Sequence, residues 1–526
     1  MIWRTGSERR TISWVTIAVM VIIAYYVVQG INNYVITIPS IKFGFILMGI
    51  LVALMWIPVF RWHAPSGQQS TLLGSARLGA DREIAALETG TGDLLVGRAE
   101  KSGRLLRQDG PAHLVTIAPT RSGKGVGTIL PNLLTLDRAI VCIDPKGENA
   151  RVSARARGGF GQIHCLDPFG VSGRPTAHYN PLDRMDAGDI DLVDDVAALA
   201  DAIVQDENAG GDATHWNEEA RALLSGLILH IVATEPLGRR SLLTMREYLT
   251  LPPASFSALL TAMQANPAVH GLIARAANRF LGKADREASG VLSAAQRHTH
   301  FLDSPRIADC LATSDFRFAD LRGGSISIFL CLPPDRIDAY SRWLRLIVVE
   351  ALTALARTPA LAAQKPVLFL LDEFAALGRL EPVARAMGLM AGYGVQLWPI
   401  LQDIHQLRHL YGERAGTFLA NAGILQVFGV NDHDTADLVS KMIGEETVEY
   451  RSEGWTTNQG KDLFAGSTHG SSVSEHVTAR RLFTPDEIMR LGPDRQLLLR
   501  PGHSPLLTGR IVYYRDREFA GLYDPA

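Results

Sequence analysis

The sequence predicts an α/β fold: a doubly wound, largely parallel sheet with an inserted all-α domain, behind two N-terminal transmembrane helices. Three observations predict it. Two uncharged apolar stretches open the chain. Short apolar runs then alternate with helix-period segments, as βαβ units require. Between about Ile190 and Arg317 only the helical period remains.

At 526 residues the chain exceeds one ordinary domain, and 47% apolar residues suffice for a large core plus a membrane anchor. A net charge of −2 gives no global basic excess. A local basic groove would still be enough to bind nucleic acid. Cys142, Cys165, Cys310 and Cys331 lack metal-ligand spacing and read as small buried hydrophobes in a reducing compartment.

The spans come first. Ile12–Gly30 and Phe43–Phe60 carry no charge, and each approaches the roughly 20 residues that a spanning helix needs. Trp14, Tyr25, Tyr26 and Trp56 lie toward their ends, where aromatic rings favour the interface. No small-residue cleavage site follows the first stretch, which argues against a signal peptide. Arg4, Arg9 and Arg10 precede the first span and Arg61 follows the second, while the connecting loop holds only Lys42. The positive-inside bias therefore places both termini and the main body in the cytoplasm.

Four parts are expected: an anchor over 1–66, a first nucleotide-binding segment over 67–189, the all-α domain over 190–317 and a second nucleotide-binding segment over 318–526. Gly67–Gly90 reads as a linker with short structure. Strands are expected at His113–Ala118, Ala139–Ile143 and Gln162–Leu166. They resume at Ser325–Leu332, Val367–Leu371, Gln396–Leu401, Leu425–Val430 and Gln496–Arg500. The helical part should hold Asp191–Ile203, Trp216–Thr234, Met245–Leu251, Ser255–Gln264, Pro267–Phe280 and Asp285–Leu302. Gly454–Ser472, rich in Gly, Ser, Thr and Asn, reads as a mobile surface loop.

The chemistry sits at strand ends. Ala118-Pro-Thr120-Arg121-Ser122-Gly123-Lys124-Gly125 follows an expected strand and opens an expected helix, the context of a P-loop. Inward-pointing N–H groups of Thr120, Arg121, Ser122, Gly123, Lys124, Gly125 and Val126 would cradle phosphate oxygens, and Lys124 would reach the β- and γ-phosphates of ATP. Ala118 replaces the usual first glycine. Gly125 replaces the usual Ser/Thr that holds Mg2+, which leaves Thr128, one turn on, as a substitute ligand. The apolar run from Pro366 ends in Asp372-Glu373, as a buried parallel strand does when carboxylates emerge at its tip. There Asp372 can hold Mg2+ and Glu373 can accept a proton from an attacking water.

Gln402, at the tip of the next expected strand, can sense the γ-phosphate or orient water; a plain strand terminator is the bland alternative. Asn431 is a weaker candidate of the same kind. The turn Asp144–Glu148 is either structural or a site contact. Arg379, Arg385 and Arg414 lie where a ring neighbour's arginine could come from, although surface ion pairs are the commoner role. Arg121 would line the site entrance.

Together, the P-loop APTRSGKGVG, the turn IDPKGEN (Ile143–Asn149), YNPLD (Tyr179–Asp183), HWNEEARALL (His215–Leu224), LFLLDEFAALGRL (Leu368–Leu380) and MAGYGVQLWPILQD (Met390–Asp403) carry a resemblance. The chain resembles the type IV secretion coupling proteins, the TraG-like, VirD-type proteins of bacterial conjugation and effector export, nearly from end to end. That resemblance implies a RecA-like nucleotide-binding domain and a homo-hexameric ring at the bacterial inner membrane. It implies delivery of a relaxase–DNA complex, with its single-stranded DNA, or of protein effectors to a secretion channel. It also assigns Lys124 and Gly125 to the family's P-loop, Asp372 and Glu373 to its hydrolytic pair, and Gln402 to its glutamine after the following strand. Gly388-Leu389-Met390 stands where some relatives carry a trans-acting arginine, so that residue is unassigned. An FtsK-type translocase would bring more spans, a long linker and a winged-helix reader. A non-hydrolysing receptor would not require Glu373.

Overall fold

Apolar strands that read as near-continuous hydrophobic runs are those covered on both faces, and they set the architecture here. The computed structural model describes residues 71–204, 212–358, 364–458 and 468–525, and the chain from Thr71 onward is one compact unit. The expected spans Ile12–Gly30 and Phe43–Phe60 lie outside the described residues. Among those described, no helix is long and apolar enough to cross a membrane.

The strands are β1 (Leu94–Arg98), β2 (Leu105–Gln108), β3 (His113–Ile117), β4 (Ile140–Ile143), β5 (Ile163–Leu166), β6 (Ser327–Leu330), β7 (Val367–Leu371), β8 (Val395–Leu401), β9 (Ala422–Val427), β10 (Glu445–Asn458), β11 (Thr468–Arg481), β12 (Arg495–Leu499) and β13 (Leu506–Gly509). An 11-stranded sheet takes the order β2-β1-β13-β12-β9-β3-β8-β7-β4-β6-β5, and β10 and β11 form a separate two-stranded sheet. From β9 to β5 every neighbour is parallel. From β9 outward to β2 every pairing is antiparallel.

Every residue of β3, β4, β6, β7 and β8 is buried. Their side chains alternate between two cores. Ile140, Cys142, Leu368 and Leu370 face the helices Leu130–Thr135 and Glu148–Phe160 through Leu133, Leu134 and Val152. Val141, Ile143, Phe369 and Leu371 face the long helix Ile337–Arg357. This period of two is what a sheet buried on both faces imposes.

Between β5 and β6 the described elements are helices: Leu192–Ile203, Asp212–Thr234, Leu242–Leu249, Pro253–Gln264, Leu272–Leu281, Asp285–Thr299 and Pro305–Cys310, with short 3-10 turns. The sequence places one of them too early, at Pro267. Val269, His270 and Gly271 all have positive φ (50°, 53° and 75°), so the α-helix cannot begin before Leu272. Leu199, Leu227 and Val291 of these helices belong to the same buried cluster as Leu346 and Phe369, so the helical stretch shares a core with the sheet.

Two expectations differ from the structure. Gly454–Asn458 and Thr468–Ser472, read as loop, lie within the 14-residue strands of the β10–β11 ribbon. Composition misled because Gly, Ser, Thr and Asn signal loops more often than strands. The short antiparallel strands β1, β2 and β13 also escaped, having only four or five residues each.

Arg157, on the helix Glu148–Phe160, braces the segment leading into β4 against the start of β6. Fully buried, it donates from Nε to Ser327 Oγ (2.7 Å), from Nη2 to the Arg138 carbonyl (2.7 Å) and from Nη1 to the Leu136 carbonyl. Burial pulls its pKa down to about 10. Arg157→Lys keeps the charge but loses the planar fork, leaving buried acceptors unmet. It should destabilise the fold by about 2 kcal/mol or more, read as a lower melting temperature. An unchanged melting temperature would show that the fork is dispensable.

Candidate functional site

Parallel strands present their C-terminal tips on one side of a sheet, and ligands bind there. In this sheet β3, β8, β7 and β4 lie side by side, so the loop after β3 and the residues after β7, β8 and β4 converge. The loop is tied to β8 at its start, where Ala118 N donates to the Leu401 carbonyl at 2.8 Å. It turns through Arg121 (φ 63°) and Gly123 (φ 84°), both left-handed, and Ser122 Oγ donates to the Pro119 carbonyl at 2.6 Å. A non-glycine residue in that region is uncommon and marks a constrained turn.

Lys124 leaves this loop and ends between two carboxylates. Its Nζ lies 3.2 Å from Asp372 Oδ1 and 3.1 Å from Glu373 Oε1. Burial works against the ammonium, but Asp372 and Glu373 outweigh it and raise the Lys124 pKa above the usual lysine value. Burial likewise pushes the Asp372 carboxyl up, against the pull of Lys124. Glu373 adopts φ 51°, ψ 45°, a left-handed conformation directly after the strand that turns its side chain back to Lys124.

Gln402, just past β8, completes the group. Its Nε2 donates to Glu373 Oε2 at 3.1 Å, while its Oε1 accepts from Thr120 Oγ1 at 3.0 Å. Thr120, Lys124, Asp372, Glu373 and Gln402, each expected from sequence, therefore form one connected set. Thr120 and Arg121 are exposed, and Ser122, Gly123, Gly125 and Val126 are half-buried. A Cβ at Gly125 would meet nothing within 4 Å, so its side of the loop is open.

Thr128 is not brought to the carboxylates. Gly125–Ile129 is a π-helical turn, wider than the α-turn assumed in spacing Thr128 from Lys124. Buried, Thr128 donates from Oγ1 to Gln426 Oε1 at 3.1 Å. Gln426 also accepts from Thr116, which in turn accepts from Trp398 Nε1 at 2.8 Å.

Asp144 stands at the tip of β4 beside Asp372, since Ile143 pairs with Leu371. Its Oδ2 accepts from Ala150 N at 2.8 Å. Burial pushes its pKa up to about 6, against the backbone donors Ala150 and Asn149 and with help from the Asp372 charge. Of the candidate arginines, Arg379 and Arg414 both pair with Glu381 at 2.6 Å. Arg385 lines a cleft of about 820 Å3 with Arg221, Arg345 and His409, which does not include Lys124 or Glu373. Asn431 is exposed beyond β9.

Sequence reasoning missed Arg510, just after β13. Its Nη2 donates to the Gly123 carbonyl at 3.1 Å and its guanidinium lies 4.0 Å from the Phe428 ring centroid. No local motif marks it; only the pairing of β12 with β9 and β13 carries it to the loop.

Comparison with known proteins places this geometry. Residues 76–523 match the family described as Type IV secretory system Conjugative DNA transfer. Conjugal transfer protein TraG of Escherichia coli is 31% identical over 469 residues, covering 83% of this chain and 72% of that protein. Type IV secretion system-coupling protein VirD4 of Bartonella quintana is 27% identical over 422 residues, covering 78% of this chain and 64% of the relative. Among solved structures, plasmid coupling protein TrwB in complex with ADP and Mg2+ aligns with a TM-score of 0.61 at 18% identity, over 83% of this chain and 94% of TrwB. TrwB with the GTP analogue GDPNP gives 0.62 at 17%, over 85% and 96%. At such identity the likeness is one of fold: a mixed α/β sheet core.

The raised Asp144 pKa has a definite sign. The folded chain holds this proton more tightly than the unfolded chain, so the contribution to stability is full below about pH 4 and is lost as pH rises through about 6. In nucleotide- and metal-free protein, Asp144→Asn should therefore melt above the native chain at pH 8, by on the order of 2 kcal/mol, with the gap closing toward pH 4. A gap that does not vary with pH would mean that Asp144 stays charged in the fold.

Proposed function

The chain belongs to the family of type IV secretory conjugative DNA-transfer proteins, and from that premise we propose that it is an ATP-hydrolysing coupling protein. The observation that carries this is the bridge of Lys124 between Asp372 and Glu373, with Gln402 on the far side of Glu373. A lysine held by two carboxylates beside an open loop is poised to exchange them for phosphate oxygens.

The donor set fits a nucleotide with Mg2+. Loop N–H groups from Thr120 to Val126 would cradle phosphates, with the open side at Gly125 leaving room for them. Bound Mg2+ would neutralise developing charge on the phosphates. With Gly125 lacking a hydroxyl and Thr128 turned to Gln426, Asp372 is the protein ligand we assign to it. Once Lys124 moves onto phosphate, Glu373 is freed to accept a proton from water, and Gln402 fixes the orientation of that carboxylate. Thr120, on the loop, reports to Gln402 and so ties phosphate occupancy to the base.

The wider reading follows the family. The segments Ile12–Gly30 and Phe43–Phe60 would anchor the chain in the bacterial inner membrane with both termini cytoplasmic. Copies would assemble as a homo-hexamer. Residues 190–317 would form the all-α domain that recognises cargo: a relaxase with its single-stranded DNA, protein effectors, or both. DNA would be held through its phosphates with little regard to sequence, and the cargo passed to the secretion channel.

ATPase measurements on the full chain, with and without single-stranded DNA, test the reading. Glu373→Gln should keep nucleotide binding and reduce turnover by about 10^2- to 10^4-fold. Lys124→Ala should lose binding itself. DNA should stimulate the native chain. Turnover unchanged by Glu373→Gln would remove Glu373 as the base.

A further inference from the structure

Arg510 reaches the P-loop from the antiparallel half of the sheet, and the two are fitted to each other. Its Nη1 donates to the Pro493 carbonyl at 2.8 Å and its Nη2 to the Gly123 carbonyl at 3.1 Å. The Phe428 ring supports the guanidinium from one side at 4.0 Å. A Cβ on Gly123 would come within 2.8 Å of Nη2, and one on Gly127 within 2.9 Å of the Ile511 carbonyl. Both glycines therefore make room for this strand end as well as for their own turn.

The charge on Arg510 is not balanced in the way that of Lys124 is. Lys124 has Asp372 and Glu373 in contact. Asp494 acts on Arg510 only through space, and among the described residues no carboxylate pairs with it. A second cation packed against the same loop raises the local potential. That is unfavourable when the loop is empty and favourable when an anion occupies it.

We propose that Arg510 is a positioning residue for a nucleoside di- or triphosphate. It clamps the Gly123 carbonyl, which holds the loop in its left-handed turn with N–H groups facing the phosphates, and it lends them uncompensated positive charge. The inference rests on the nucleotide reading above and deepens it. It makes the antiparallel strands β12 and β13 part of the phosphate site.

The test is binding of Mg-ADP and of a non-hydrolysable ATP analogue to the full chain, at low and moderate salt, with melting of the nucleotide-free protein alongside. Arg510→Gln should weaken both ligands about tenfold or more and flatten the salt dependence, while nucleotide-free melting stays near native. In turnover the loss should fall on KM, with kcat kept at saturation. Native affinity in Arg510→Gln, with Lys124→Ala defective, would overturn the inference and leave the nucleotide site standing. A native chain that binds neither ligand would bring down the nucleotide reading itself. Should Arg510→Gln also lower nucleotide-free melting, Arg510→Lys decides. Native melting with affinity still several-fold weak supports the clamp, and full recovery of both overturns it.

Discussion

Lys124 touches carboxylates that stand two strands away from its own, and this contact depends on strand order. β8 lies between β3 and β7, so the loop must cross about 10 Å of sheet at roughly 4.8 Å per strand. A long, unbranched cation can do this where a short side chain could not. The insertion of β8, which comes later in the chain than β7, also places Gln402 between Thr120 and Glu373. The loop, Glu373 and Gln402 are thus neighbours because β3, β8 and β7 run parallel side by side. No one of them is adjacent to another in sequence except Asp372 and Glu373.

Beneath the loop the sheet carries a second, hidden constraint. Trp398, Thr116, Gln426 and Gln496 hydrogen-bond in series across β8, β3, β9 and β12, ending on the Val96 carbonyl at 2.6 Å. Each member is buried, so any one left without a partner would cost about 1–3 kcal/mol. Thr128 feeds into this chain from the helical turn that follows Lys124. The P-loop turn is therefore fixed from below to the antiparallel strands, just as Arg510 fixes it from the side.

These two constraints explain what could be read from the sequence and what could not. β3, β4, β7 and β8 were legible because burial on both faces demands long apolar runs, and the polar residues beyond the ends of those runs marked where the candidate site would lie. Lys124, Asp372, Glu373 and Gln402 follow from that pattern. Thr128 was misplaced because its spacing was judged on an α-turn, whereas the backbone there is π-helical. Nothing local signals that widening. Arg510 was invisible for another reason: its partner Gly123 is 387 residues away, and the strands that deliver it are four or five residues long. The β10–β11 ribbon was hidden by polarity, since its Gly, Ser, Thr and Asn residues show no apolar alternation.

The long helix Ile337–Arg357 links the site to the helical stretch. Arg345 donates to the carbonyls of Leu377 (3.1 Å) and Arg379 (2.7 Å), in the segment that directly follows Glu373. Further along the same helix, Glu350 accepts from Tyr179 and pairs with Arg184, and Arg357 pairs with Asp195 of helix Leu192–Ile203. Burial pushes the Glu350 carboxyl up, with Arg184 acting against it. The same helix therefore contacts the segment after Glu373 through Arg345 and carries two ion pairs with half-exposed arginines further along. Packed side chains, hydrogen bonds and ion pairs can carry coupling between sites where they join rigid elements. Here one helix, Ile337–Arg357, makes such contacts both to the segment after Glu373 and to the helix Leu192–Ile203.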